Sequence, residues 1–332
     1  MRYTLLFSTL ILFLCIGCKN SDSEKSKKKS KKVLTSSSGS INSLSVIIDD
    51  SLWKGEVGEN IRQELASPVT GLPQEEPLFS LSHIPPKAFD GFMRTSRLFM
   101  SVQITDENKV SLVRDMYARP QIGFVVTGKS SADIVELIKN NSSRIIKEYK
   151  KVEVKANQNR ISKSLKSDEE LQERFGLRMK FPSVYRYAVK EDDFVWLRKD
   201  IQHGSMEILV YEVPLKAIDK DTNTIRNIVK MRDSIGKKYV PGPVDDSYMI
   251  TEEAYAPFLY NTKIDGKDTY LTKGTWEVKG AFMAGPFVNY AIRDEANNRY
   301  LVLEGFVFKP QTPTKRNNIF ELQSIFRSAK LD

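Results

Sequence analysis

Aromatic and charged side chains gather in three short stretches of the second half, FVWLRK over 194–199, MRDSIGKKY over 231–239 and GTWE over 274–277. Aromatic rings offer a large contact area, and the arginine fork pairs well with carboxylates. The stretches therefore predict a binding groove for a glycan or a polypeptide. We assign six residues to it: Trp196, Arg198, Arg232, Asp233, Tyr239 and Trp276. In the alternative interpretation the tryptophans are core residues and Arg232–Asp233 is a pair on a helix surface.

Two stretches match catalytic motifs in residue type and spacing but not in the secondary structure that each motif requires. Residues 123–130 (GFVVTGKS) fit the P-loop pattern, but the apolar run between the glycines indicates a strand interior rather than a phosphate-cradling loop. We expect a strand-to-helix turn there, with Ser130 or Ser131 as the N-cap. Ser234 and Lys237 fit a Ser-x-x-Lys pattern, whose serine belongs at a helix start. Here the predicted helix over 223–235 is ending.

Carboxylates and histidines show no catalytic arrangement. Paired carboxylates such as Asp49 and Asp50 are sequence neighbours, and neighbours on a strand point to opposite faces. They predict surface charge rather than a glycosidase pair. With only His83 and His203 in the chain, a histidine-based zinc site is not expected. We predict no catalytic residue, no metal, no cofactor and no nucleotide partner.

The N-terminus has the pattern of an export signal. Arg2 precedes an apolar run over 5–16, which is too short to span a bilayer but suits the core of a signal peptide. Gly17-Cys18 then resembles a bacterial lipobox, although Cys15 stands where leucine is commoner. We predict a lipoprotein signal peptide and acylation of Cys18, which would anchor the chain to a membrane. An ordinary signal peptide is the alternative.

A lysine-rich segment follows the cysteine. Residues 19–32 carry seven lysines against two carboxylates, a net charge of +5 out of +9 for the whole chain. Basicity confined to such a segment is typical of a disordered tether, which either lies near anionic headgroups or wall polymer or is a solvated linker with no specific partner. It does not indicate a nucleic-acid partner. Both cysteines lie before this segment, so no disulfide or thiol chemistry is available after it.

Hydrophobic patterning predicts many strands and few helices after the tether. We expect a hairpin of strands 98–105 and 109–117, a strand over 121–127, and helices over 52–66, 132–150, 223–235 and 318–329. Most strands follow one another without a helix between them, which favours an α+β fold with mainly antiparallel sheets covered by helices.

Composition and patterning together predict five segments. They are a signal peptide over 1–17, a Lys/Ser-rich tether over 18–39, a first α+β domain over 40–150, a charged helical connection over 151–176 and a second α+β domain over 177–332. The proline-rich residues 67–91 are too apolar for a linker. We expect them to form an ordered cover on the first domain, with an exposed tip at 74–76 available for contact.

Six stretches carry a family resemblance: INSLSVIIDDSLWKGEVGENIR, GLPQEEPLFSLSHIPPKAFDGF, FVWLRKDI, MRDSIGKKYVPGP, GTWEVKGAFMAGPFVNYA and YLVLEGFVF. Over 40–332 the chain resembles the domain-of-unknown-function 4837 family of Bacteroidetes lipoproteins. The resemblance implies a lipoprotein of a Gram-negative cell envelope and no known activity. At the level of fold alone, the second domain is also similar to PsbP-like domains.

These observations predict a membrane-anchored lipoprotein that binds or scaffolds an envelope component without catalysis. Its partner would be an envelope protein or a cell-wall glycan. We expect it in the outer membrane, facing the periplasm. The alternative is an envelope hydrolase that acts on a glycan or peptide at a site the sequence does not identify.

Overall fold

The structure, a computed structural model, describes residues 34–332. The predicted signal peptide, Cys18 and most of the tether lie outside the described residues. In the first half the strands and helices are β1 (Thr35–Ser36), β2 (Ser43–Ile47), α1 (Asp50–Lys54), α2 (Glu56–Leu65), β3 (Ser80–Ile84), β4 (Leu98–Ile104), β5 (Lys109–Arg114), β6 (Ala118–Arg119), β7 (Ile122–Gly128) and α3 (Ser131–Ile161).

The second half is richer in strands. Its elements are α4 (Glu169–Phe175), β8 (Leu177–Arg178), β9 (Arg186–Lys190), β10 (Phe194–Ile201), β11 (Gly204–Pro214), α5 (Thr224–Tyr239), β12 (Tyr248–Thr251), β13 (Phe258–Ile264), β14 (Lys267–Lys279), β15 (Ala281–Asp294), β16 (Arg299–Phe308), α6 (Arg316–Phe326) and β17 (Lys330–Leu331).

A five-stranded sheet of order β3-β2-β4-β7-β5 forms the first half. Three of its four pairings are parallel, and only β5 with β7 is antiparallel. The predicted hairpin of residues 98–105 with 109–117 is therefore wrong, because β7 lies between β4 and β5. The sequence of β4, Leu98-Phe-Met-Ser-Val102, is mostly buried, as is usual for a central parallel strand covered on both faces.

An antiparallel sheet of eight strands forms the second half, in the order β12-β14-β15-β16-β11-β10-β9 with β13 also paired to β14. Alternate residues of its strands pack on opposite faces. In β16, Leu301 and Leu303 belong to the core on the α6 side, whereas Tyr300 and Val302 belong to the core on the α5 side. The hairpin between β13 and β14 turns at Asp265-Gly266, as predicted.

The α+β class with mainly antiparallel sheets is confirmed, and the parallel small sheet is the part that departs from it. Two helices depart from their predicted bounds. α3 runs without a break through residue 150 to Ile161, so the predicted helical connection over 151–176 begins as part of α3 and resumes as α4. α5 continues through Gly236 to Tyr239. At Gly236 a Cβ atom would lie 2.0 Å from the Met249 carbonyl oxygen, so this glycine permits the close approach of α5 to β12 rather than ending the helix.

The proline-rich cover is ordered and packed, as expected, but it also contains an unpredicted edge strand, β3. The expected free tip is only partly free, because Glu76 is half-buried. Its Oε1 atom accepts hydrogen bonds from the backbone N–H groups of Lys315 and Arg316, at 2.6 and 2.8 Å. The cover therefore caps the N-terminus of α6 in the other half of the chain.

Candidate functional site

A pocket of about 290 Å³ opens on the α5 face of the large sheet. It lies where β10, β11, β14 and β16 meet the loop Val240–Pro243 that follows α5. The loop is fixed to its neighbours, since the Gly242 N–H donates to the Ser247 carbonyl at 2.8 Å and the Met249 N–H to the Val240 carbonyl at 3.0 Å. The pocket is thus preformed.

Aromatic side chains make the walls of the pocket. The Trp276 and Phe306 rings pack edge to face, with centroids 5.2 Å apart at 65°. Trp196 lies against the same Phe306 ring at 6.5 Å. Trp276 is buried, and among the described residues its Nε1 atom has no hydrogen-bond partner. Indole and phenyl rings that line a cavity in this way favour an apolar or a cationic guest.

Glu207 supplies the single carboxylate among the described residues that line the pocket. It is 2% exposed, and its Oε2 atom accepts a hydrogen bond from Trp196 Nε1 at 2.7 Å. Burial raises the pKa of Glu207, and hydrogen bonds from Ser205 and Trp196 only partly oppose this effect. Arg198 Nε lies 3.7 Å from Glu207 Oε1 and 3.0 Å from Asp200 Oδ1, so the arginine is shared between two carboxylates.

Three of the six predicted site residues, Trp196, Arg198 and Trp276, line this pocket together. The other three do not. Tyr239 stacks on Phe194 at 4.1 Å and donates to Asp193 at 2.6 Å, and Asp233 accepts the Thr251 N–H at 2.7 Å. The prediction of one groove lined by all six is therefore wrong, because the α5 residues tie the helix to its neighbours.

Arg232 belongs to a buried polar cluster beneath α5. Its Nε and Nη2 atoms donate to both oxygens of Glu304 at 2.9 and 2.6 Å, and both side chains are 1% exposed. Asn289 and Tyr211 also donate to Glu304, at 2.8 and 3.3 Å. The predicted interpretation of Arg232–Asp233 as a surface pair is likewise wrong, since the partner of Arg232 is in β16. A charged residue that interrupts an apolar strand face, as Glu207 and Glu304 do, was the available signal for both carboxylates.

The structure confirms the strand-to-helix turn predicted at residues 123–130, but it places Ser234 inside α5 rather than at the predicted helix end. Gly123 and Gly128 are both in β7, and Ser130 is the N-cap of α3, accepting the Asp133 N–H at 3.2 Å. Ser234 is exposed in the interior of α5 and donates to the Lys230 carbonyl at 2.8 Å. That geometry is not the helix-start position that Ser-x-x-Lys chemistry uses.

Within residues 34–332, no group of three or more metal-ligating side chains converges. No helix in that range is long and apolar enough to cross a membrane. His83 stacks on Trp53 at 5.0 Å and hydrogen-bonds the Ile48 carbonyl oxygen at 3.0 Å, which accounts for it structurally.

The fold and the pocket together define an α+β protein with a preformed aromatic cavity on its large sheet. Residues 164–328 match the family model described as a domain of unknown function, DUF4837. Residues 37–162 match a second model, a domain of unknown function called DUF8532. The resemblance to a single family over 40–332 was therefore too broad, because the stretches before residue 162 match the second model. A comparison with curated proteins found no significant match.

Proposed function

We propose that the protein is a non-catalytic binding module of the bacterial cell envelope, and that its aromatic pocket receives one side chain of an envelope polypeptide. The carrying observation is the preformed cavity that combines Trp196, Trp276 and the buried carboxylate of Glu207. A volume of about 290 Å³ suits a single side chain better than a chain of sugar rings. A cell-wall glycan is the alternative partner.

The residues that line the pocket also indicate which kind of side chain it would bind. Glu207 is acceptor-only when ionised, and aromatic faces attract cations. A lysine or arginine side chain, or another amine, would both donate to Glu207 and pack against the aromatic rings. Its positive charge would also offset the cost of holding the Glu207 carboxylate away from water.

The location of the module is proposed from the sequence. Acylation of Cys18 would place the protein in the outer membrane, and the lysine-rich tether would hold the body on the periplasmic side. Replacement of Cys18 by alanine should then move the protein from the membrane to the soluble fraction. Unchanged fractionation with membranes would contradict a lipid anchor.

One feature favours the alternative function, an envelope hydrolase. The raised pKa of Glu207 is a property that a general acid needs. A glycosidase needs a second carboxylate across the substrate, and in the described part of the pocket lining Glu207 has none. Loss of glycan or peptide cleavage by purified protein on Glu207→Gln would support the hydrolase over the binding module.

Neighbouring residues on β15 offer a matched test of binding. Met283 lines the pocket, whereas Phe282 is fully exposed and points to the other side of the strand. A photo-crosslinking amino acid at position 283 should capture an envelope protein in cells, and one at 282 should not. The position-283 adduct should weaken in a Trp196→Ala background. Equal adducts from both positions would refute the pocket as the binding site.

A further inference from the structure

A second groove, rich in lysine and arginine, lies between α3, α6 and the β13–β14 hairpin. It consists of two adjoining cavities of about 610 and 210 Å³ that share Lys150, Val154 and Arg327. The larger cavity is open and the smaller lies at the inner end, covered by Val69 and Leu78 of the proline-rich cover. Nothing in the aromatic pocket contributes to it.

The outer part of the groove carries a row of exposed lysines. Lys147, Lys151 and Lys155 occupy every fourth position of α3, so they lie on one face over about 12 Å. Like charges at this spacing destabilise a helix. None of the three has a carboxylate within 4 Å among residues 34–332. Asp265 is the only carboxylate among the described residues that line this cavity, and it is already bonded to Lys330 and to the Leu331 N–H.

The inner part holds two lysines that are largely buried. Lys150 Nζ donates to Asn42 Oδ1 at 2.8 Å and to the Leu78 carbonyl at 3.1 Å. Burial, reinforced by Arg316, lowers the pKa of Lys150 to about 7. Burial and Arg327 lower that of Lys273 to about 8. Neither lysine has a carboxylate within 4 Å in the described part of the chain.

The other charges near these lysines do not neutralise them. Glu153, from α3, acts on Lys150 but is itself bound by Arg97 at 2.6 Å and by the Asn42 N–H at 2.8 Å. On α6, Arg316 donates to the Pro77 carbonyl and to Ser80 Oγ, and Arg327 contributes a further positive charge. Converging cations that lack counter-charges are an anion-binding arrangement.

We propose that this groove binds several phosphate groups at once, either those of neighbouring phospholipid headgroups or those of one soluble polyphosphorylated molecule. Lysine and arginine donors suit phosphate oxygens, and the row on α3 can meet phosphates that are separated along the groove. A bound polyanion would also relieve the repulsion among these side chains. The inference is independent of the proposed partner of the aromatic pocket.

Two variants of the full-length chain carrying Cys18→Ser test this proposal. The groove variant is Lys147→Gln/Lys151→Gln/Lys155→Gln. The matched control is Lys139→Gln/Arg144→Gln/Arg160→Gln, which removes the same number of exposed cations from the same helix outside the groove and leaves the lysine-rich tether unchanged. Circular dichroism of both variants establishes that they fold.

The probes are inositol hexakisphosphate by calorimetry and phosphatidylglycerol vesicles by flotation. We expect at least one probe to bind the parent, to bind the groove variant at least 10-fold more weakly, and to bind the control within 2-fold of the parent. Inositol hexakisphosphate alone would identify a soluble ligand and vesicles alone a headgroup. Absence of binding to both probes, or equal loss in both variants, would overturn the proposal. So would equal affinity for polyglutamate, which carries no phosphate.

The number of protons taken up when the anion binds provides a second test of the proposal. Because the Lys150 pKa is about 7, an anion in the inner cavity should raise that pKa and take up protons from the buffer near pH 7.5. Calorimetry in two buffers of different ionisation enthalpy measures this uptake. In a Lys150→Met variant the uptake should fall by at least half, whereas Trp196→Ala should leave both uptake and affinity unchanged. Uptake that persists in Lys150→Met would contradict entry of the anion into the inner cavity.

Discussion

The buried Arg232–Glu304 pair allows a quantitative test of the structural role that we assign to Arg232. Replacement of Arg232 by methionine keeps much of the side-chain volume and removes the charge. Glu304 would lose both hydrogen bonds from the guanidinium and keep those from Asn289 and Tyr211, while still 1% exposed. Breaking such a pair leaves an uncompensated buried charge and costs about 3–5 kcal/mol.

The matched control is the double variant Arg232→Met/Glu304→Gln, which leaves no charge unpaired and keeps an oxygen acceptor for Asn289 and Tyr211. It should recover most of the lost stability, because a hydrogen-bonded amide costs far less to bury than an unpaired carboxylate. Urea unfolding followed by circular dichroism measures all three proteins. A single variant within about 1 kcal/mol of the parent, or a double variant as unstable as the single one, would refute the assignment.

Two further substitutions test features of the fold. Gly236→Ala would place a methyl group against the Met249 carbonyl, and we expect the α5–β12 contact to open and the unfolding free energy to fall by about 2 kcal/mol or more. A higher melting temperature would contradict the close approach. Lys150→Met should flatten the pH dependence of stability. The lowered pKa of Lys150 means that the unfolded chain binds more protons between pH 7 and pH 10, so the stability of the parent rises with pH across that window. The advantage of the variant over the parent should therefore be largest near pH 7 and shrink by at most about 5 kcal/mol towards pH 10. Urea unfolding midpoints of both proteins at pH 7 and pH 9.5 test this expectation. The same difference in stability at both pH values would count against a buried, partly neutral Lys150.

The elements of the second half were predictable because their patterns are local. The Asp265-Gly266 turn and the alternation in β16 specify a hairpin and a two-faced strand without any distant contact. The first half was harder. Strand β3 is short, lies just before two prolines and pairs with β2 some forty residues earlier, so its residues carry little strand signal of their own.

The aromatic pocket and the second groove also differ in how far the sequence predicts them. Trp196, Arg198 and Trp276 were identifiable by residue type, but Arg198 and Tyr239 give the same signal in the sequence although only Arg198 lines the pocket. The cationic groove was not predicted. Lysines at every fourth position of α3 have the pattern of a solvated helix face, and only the fold shows that Lys273 and Arg327 lie opposite them. Proximity between residues that are far apart in the sequence cannot be predicted from the spacing of residues along one helix.

The cap that Glu76 places on α6 has a consequence for how the chain can be divided. Family boundaries between residues 162 and 164 suggest that the second half could be produced alone. Without Glu76 the first turn of α6 would lose its acceptor for two backbone N–H groups, and Arg316 would lose the Pro77 carbonyl. In the C-terminal fragment, the first backbone N–H groups of α6 would then lack an acceptor, and the surface that packs against the cover would be exposed to solvent. Division of the chain at the family boundary therefore separates α6 from the side chain that caps it, and co-expression of the two fragments should restore solubility that neither has alone.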